Sequence, residues 1–263
     1  MIRTNLLAET ESRKVTQKLG HFSVIEYLRD ISVSPKKAQE AYFASEMNVR
    51  KRQLVIDIDP DLGAYVQAGE MQMMMGDIEA STDIKGAGDF FKKVVKSSVT
   101  KETIIKPHYI GRGNVVLEPT FYHILLIDLK TWEGDVIIED GMFLACDDTV
   151  ELGISGRKNI SSLIFGNEGI FNTRLMGDGV VALESPVPSD ELIVADLEDD
   201  VIRIDGDMAI AWSSTLDFSV EKTTSTLIGS LASGEGLVNV YTGTGRVLIA
   251  PVRNNEGINI PKE

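Results

Sequence analysis

The sequence predicts an all-β chain assembled from three tandem copies of one unit. Two observations carry this reading. The pattern Gly-x-Gly-x-Val-x-(Leu/Ile), followed by a proline, occurs three times at a spacing of 66 residues. Its copies are Gly111, Gly113, Val115, Leu117 and Pro119; Gly177, Gly179, Val181, Leu183 and Pro186; and Gly243, Gly245, Val247, Ile249 and Pro251. A fixed long period is the signature of tandem supersecondary units. Short apolar runs also alternate at period two between Gly, Asp and Asn turns, as strands of a sandwich or barrel do.

The elements of the unit follow in order. Asp140–Ala145 matches Gly206–Ala211 at the same offset, pairing Met142 with Met208 and Leu144 with Ile210. A looser copy, Gly69–Gly76, lies about five residues too far from its Gly-x-Gly pair. Alternation in Leu54–Asp59, and of Val247 and Ile249 against Leu248 and Ala250, predicts strands. The Gly-x-Gly positions are expected to supply positive φ in hairpin turns, and the prolines to end strands.

Two segments depart from the unit. The first 45 or so residues lie outside it. Within them Ser34–Met47 predicts a helix, with Ser34 as N-cap and Pro35 at the first helical position. Residues 85–98 form the second departure. Gly86 and Gly88 make a flexible lead-in, and Phe90, Phe91, Val94 and Val95 share one helical face opposite Lys92, Lys93 and Lys96. The expected organisation is an N-terminal extension at 1–47, then units at 48–119 (carrying the 85–98 insertion), 120–186 and 187–263.

Acidic residues outnumber basic ones, 40 to 26, for a formal net charge of −14. Such a surface disfavours phosphate backbones and anionic lipid. The single cysteine, Cys146, fits a reducing compartment. Residues 1–10 lack the apolar run of a signal peptide, and no stretch reaches the roughly 18 apolar residues of a membrane span. The expectation is a cytoplasmic protein.

Candidate chemistry is sparse. His21, His108 and His123 are the only histidines and show none of the spacings of a metal site such as a cupin's. Asp57, Asp59 and Asp61 could hold calcium, but the sequence reads better as a strand edge entering a Pro turn. Asp196–Asp200 reads as a polar turn. Cys146 precedes two aspartates, which raise a thiol's pKa, and the period places Trp212 at its equivalent, so it reads as packing. Met71, Met73, Met74 and Met75 suit an adaptable surface, a core or a subunit interface. There is no Gly-x-Ser-x-Gly elbow, and no phosphate loop with Gly-Lys-Ser/Thr. No catalytic, cofactor or metal residue is assigned.

The segments Leu231–Val238, Tyr241–Ile249, Gly206–Trp212 and Gly141–Asp148, with the Gly-rich stretch leading to Phe90-Phe91-Lys92-Lys93, resemble the altered-inheritance-of-mitochondria family. The resemblance runs from about residue 50 to 255. It implies three consecutive β-sandwich units of double-stranded β-helix type, each similar to the tryptophan RNA-binding attenuation protein (TRAP-like). It also implies association of three chains into a ring, and it supplies no catalytic residues. The functional expectation is a non-enzymatic, homotrimeric scaffold or binding protein whose 85–98 segment docks a protein partner. A ligand-responsive RNA-binding protein is the alternative, and a metal-dependent enzyme a weaker one. Nucleic acid is disfavoured as a partner, and a membrane surface is possible but not favoured.

Overall fold

The computed structural model describes residues 2–29, 32–82, 106–156, 171–206, 208–222 and 237–252. The N-terminal part contributes β1 (Arg13–Leu19), β2 (Phe22–Tyr27) and the helix α1 (Ala38–Glu46). Taking the units at the bounds expected from the sequence, residues 48–119 (the first unit) supply β3 (Arg52–Ile58), β4 (Ala64–Val66), β5 (Met71–Ser81) and β6 (His108–Leu117). The second supplies β7 (His123–Asp128), β8 (Asp135–Ile138), β9 (Phe143–Asp147), β10 (Glu151–Gly156), β11 (Phe171–Met176) and β12 (Val180–Ser185). The third supplies β13 (Ile193–Asp205), β14 (Ala209–Ser213), β15 (Asp217–Lys222) and β16 (Leu237–Ile249). The molecule is nearly all β, as the alternation predicts. Residues 85–98, including Phe90, Phe91, Lys92, Lys93, Val94, Val95 and Lys96, lie outside the described residues.

The strands form two antiparallel sheets. One runs β1-β2-β3-β6-β4-β9-β12-β7 with β5 also on β6; the other runs β10-β11-β8-β14-β16-β13 with β15 also on β16. The second unit is therefore split between them. The period is visible in the elements: moving β9 and β10 along by 66 residues gives the bounds of β14 and β15.

One irregularity recurs with that period. In β12, Ala182 pairs with Ala145 and Leu183 with Phe143, so Leu144 is skipped. In β16, Leu248 pairs with Ala211 and Ile249 with Ala209, skipping Ile210. In β6, Val116 pairs with Met73 and Leu117 with Met71, skipping Gln72. A bulge bends the strand and adds twist. Its third occurrence sets the first copy's offset: Met71 corresponds to Phe143, one residue beyond the spacing read from the sequence.

The strand after each Gly-x-Gly pair separates two cores. Val181 and Leu183 face one core while Val180 and Ala182 face another. Val247 and Ile249 enter the third unit's core, whereas Ala250 and Leu248 pack into the second's. Val115 and Leu117 face the first core, and Val116 faces a small cluster with Ile25 and Val55. That cluster explains why Leu54, Val55 and Ile56 are all buried rather than alternately so. The N-terminal extension covers the second face of β3.

Several expectations are corrected. The glycines do have positive φ, between 107° and 159° at Gly111, Gly113, Gly177, Gly179, Gly243 and Gly245. They are not all hairpin turns. Gly111 and Gly113 lie inside β6, and Gly243 and Gly245 inside β16; Gly177 and Gly179 lie between β11 and β12. The extension holds a hairpin as well as a helix. Alternation in Arg13–Leu19 and the Gly20-His21 turn (Gly20 φ 56°) are the signals for it. Ser34 does not cap α1: its carbonyl accepts from Lys37 N at 2.9 Å in a preceding turn, and Lys37 holds the N-cap position. Asp196–Asp200 is no turn between strands but a bulge within β13, with Asp199 at φ 51°.

Gly113 shows why glycine is required inside a strand. A Cβ there would stand 1.9 Å from the Met75 carbonyl oxygen across the ladder. The obstacle is backbone, so it cannot rotate away. At Gly69, φ is 89° but a Cβ would meet nothing within 4 Å. Gly69→Ala should cost only the left-handed strain, about 1–2 kcal/mol. Gly113→Ala should add a steric cost and exceed that by at least about 2 kcal/mol. Denaturant unfolding of the two variants measures the difference.

Candidate functional site

The polar groups with tertiary roles gather where the N-terminal extension and the first unit meet the second. His21 occupies the β1–β2 turn, its side chain 8% exposed. Its Nδ1 lies 2.8 Å from the Asp57 carbonyl oxygen and its Nε2 2.5 Å from Asp147 Oδ1. Both partners are acceptors, so the ring meets them best with both nitrogens protonated. Burial works against the charged ring, but Asp147, the Asp57 carbonyl and the charge of Asp59 outweigh it, and the His21 pKa is raised above its ordinary 6.5.

Asp147 serves a second contact. Its Oδ2 accepts from Val180 N at 2.7 Å, at the exit of the second Gly-x-Gly pair. A Cβ on Gly179 would sit 2.9 Å from that oxygen. In the third unit Ser213 Oγ accepts from Arg246 N at 3.0 Å, 66 residues on at both ends. Thr149 and Thr215 repeat the pattern, donating to the carbonyls of Asp178 and Thr244 at 2.5 and 2.8 Å. The first unit has Met75 at the Asp147 position, and there Met75 pairs with Asn114 in the ladder that runs on from Met73 to Ser81.

Asp148 forms the neighbouring pair. Its Oδ2 accepts from Gly63 N at 3.0 Å and from His108 Nε2 at 3.2 Å, and Tyr65 stacks on His108 at 4.6 Å. Adjacent aspartates of the second unit thus hold two histidines from upstream elements. Cys146, just before them, is 0% exposed. Burial and the adjacent Asp147 push its thiol well above the ordinary range, and Trp212 is buried at the equivalent place.

His123 lies elsewhere, beside a buried ion cluster. Glu26 accepts from Arg50 at 2.9 Å and from Arg52 Nε at 3.1 Å, and Lys14 lies 3.9 Å away. A cavity of about 120 Å³ adjoins them, lined by Gln17, Asn48, Arg52, His123 and Ser189 among others. Burial and the Arg52 charge lower the His123 pKa to about 4. Gln17 Nε2 donates to the Ile124 carbonyl at 2.8 Å, tying β1 to β7.

The structure therefore gives His108 and His123 separate surroundings, although they flank the first Gly-x-Gly strand in sequence. Asp57 accepts from Asn114 at 3.2 Å, and Asp59 Oδ1 accepts from Asp61 N at 2.9 Å within a turn. Among the described residues no three His, Cys, Asp or Glu side chains converge as a metal site would require. Among them, too, no helix is long and apolar enough to cross a membrane. What the cluster does physically is lock the extension and first unit onto the second. Sequence reasoning missed it because its partners stand 126 and 40 residues apart.

A family model described as Mitochondrial biogenesis AIM24 matches residues 45–252. The chain belongs to the AIM24 family. An uncharacterized protein of Streptococcus pyogenes serotype M6 is 27% identical to it over 201 residues, covering 74% of this chain and 79% of that one. A crystal structure of a Streptococcus pyogenes protein matches with a TM-score of 0.58 at 24% identity, covering 78% of this chain and 90% of the other, and shows the same fold. The resemblance read from the Gly-x-Gly segments is borne out. The β1–β2 hairpin and His21 precede the AIM24 match.

The His21–Asp147 pair makes a pH-dependent prediction. A raised folded pKa means that the pair's contribution is complete below the ordinary histidine value and lost as pH rises through the folded value. Asp147→Asn keeps an oxygen for Val180 N but removes the charge. Wild-type Tm should fall, relative to the variant's, as pH increases across that window. NMR titration should place the His21 pKa above 6.5 in the wild type and lower in the variant.

Proposed function

We propose that this chain is a non-enzymatic oligomeric scaffold or binding protein, a homotrimeric ring of TRAP-like units that works in the cytoplasm through protein partners. The observation that carries the reading is a junction used twice. Between the first and second units, β4 pairs with β9: Ala64 with Asp147, Tyr65 with Cys146 and Val66 with Ala145. Between the second and third, β8 pairs with β14: Val136 with Ser213, Ile137 with Trp212 and Ile138 with Ala211. The two sets of pairs coincide in register when each residue is moved to its equivalent. A unit joined to the next by one repeated, directional contact suits an assembly that continues beyond a single chain and closes as a ring.

The surface charge agrees with protein partners rather than nucleic acid. A net charge of −14 opposes the counterion-release term on which non-specific RNA binding depends. The basic amphipathic stretch Phe90–Lys96 interrupts that acidic character in the sequence, which favours the 85–98 segment as the partner-docking element.

Light scattering on the eluting protein should give three times the 28.8 kDa chain mass. A monomer would remove the ring. Single-stranded RNA should show no gel shift even at low salt, where electrostatic attraction is greatest. A saturable shift there would favour the ligand-responsive RNA-binding alternative.

A further inference from the structure

The two ends of the nine-stranded sheet come together. β1 stands at one end of its strand order and β7 at the other. Among the described residues no ladder joins them, but the Gln17 side chain does, donating to the Ile124 carbonyl at 2.8 Å. The cavity of about 120 Å³ lies at this seam, between β1, β7 and the residues 188–189 that follow β12. A space of that size holds a few waters or one small polyatomic ion.

The charge around the cavity is unbalanced. Its wall holds Arg52, 4% exposed, and Glu26, 7% exposed. Three cations share that one carboxylate: Arg50 at 2.9 Å, Arg52 at 3.1 Å and Lys14 at 3.9 Å. Arg50 Nε is buried with no hydrogen-bond partner among the described residues. Positive charge withdrawn from water is costly until it is fully paired. The whole chain carries −14, so a positive excess here is a local construction. His123 lines the same wall, and burial and neighbouring charge, rather than a hydrogen bond, act on its ring. Arg52 opposes its protonation, whereas Glu26 and Asp190 favour it. The ring is neutral near neutral pH and offers one N–H donor and one acceptor nitrogen. Asn48 and Ser189 are exposed at the same cavity and bring a side-chain amide and a hydroxyl.

We infer that this cavity binds a small oxyanion, a phosphate or carboxylate group, with Arg52 supplying the charge and His123, Asn48 and Ser189 the hydrogen bonds. The wall has donors to spare, and its buried acid is already shared among three cations, which is the composition of an anion site and not of a cation site. The space admits the free anion, or the head of a larger molecule whose remainder stays outside. The wall comes from β1, β2, β3 and β7, so a bound anion ties the extension and the first unit to the second at a point separate from the His21 and His108 pairs. Binding needs no second chain and stands apart from the oligomeric reading.

NMR of the histidine rings in the full chain tests the site, because the sequence holds only three histidines. Inorganic phosphate is titrated at neutral pH against chloride at constant ionic strength. The His123 ring should shift saturably, while His21 and His108, each held by an aspartate, stay still. Methyl phosphate and acetate run as separate arms. A response to inorganic phosphate alone assigns the free anion, and an equal response to methyl phosphate assigns the head of a larger molecule. A response to acetate alone assigns a carboxylate, and a response to all three assigns an oxyanion site without preference. No saturable shift at His123 with any of them, or the same shift with uncharged glycerol, overturns the proposal. Ser189→Asp puts a negative charge at the cavity from an exposed position. Far-UV circular dichroism should be unchanged while affinity for the responding anion falls about tenfold. Ser189→Asn, uncharged and of nearly the same size as the Asp variant, should hold affinity within about threefold of wild type. An equal loss in the two variants, or no loss in Ser189→Asp, also overturns it.

Discussion

Each strand that follows a Gly-x-Gly pair is a wall shared by two cores, and that sharing constrains everything around it. A shared wall must be apolar on both faces. Burying each Val, Leu or Ile of such a strand stabilises the fold by about 1.5–3 kcal/mol, and here successive residues contribute to different cores. A strand of this kind cannot lie at a sheet's solvent face. The recurring bulge sits in the strand paired with it, at Leu144, Ile210 and Gln72, so the partner takes up the bend while the wall strand stays in register on both faces.

The same backbone plan carries different polar fittings at its two internal junctions. At the first, Asp148 reaches back to His108 and to the Gly63 amide. At the second, Arg174 replaces His108 by position but binds Asp135 within its own unit, and holds that carboxyl below its usual range. The register is common, whereas the charged contacts are individual. A first unit therefore meets a second unit on better terms than it would meet a third, which helps fix the order of units along the sheets.

The period, the strands and the family were readable because they depend on residues close together in sequence, or on exact recurrence. Val247 and Ile249 alternate with Leu248 and Ala250 whether or not one knows which core each enters. The Gly-x-Gly pairs were readable as positive-φ positions but not as strand interiors, since the Met75 carbonyl that forbids a side chain at Gly113 belongs to a different strand. The charge lock was hidden for the same reason. His21 looks like a turn residue until Asp147, 126 positions away, is brought beside it. The β1–β2 hairpin leaves a local trace in its alternation and its Gly20-His21 turn, because both strands and the turn lie within fifteen residues of one another.

Shared walls also have a consequence for the chain as it is made. A ribosome releases the first unit's strands before the residues that complete their core. That core lacks Leu144, Ala145, Val180 and Ala182 until the second unit has emerged, and the second core waits in turn for Ile210, Ala211 and Ala250. Folding during synthesis is thus staggered by one unit, each core closing when its successor arrives rather than when its own strands are finished. The nascent protein carries one half-built core at its growing end throughout, a standing target for chaperones that bind exposed apolar surface.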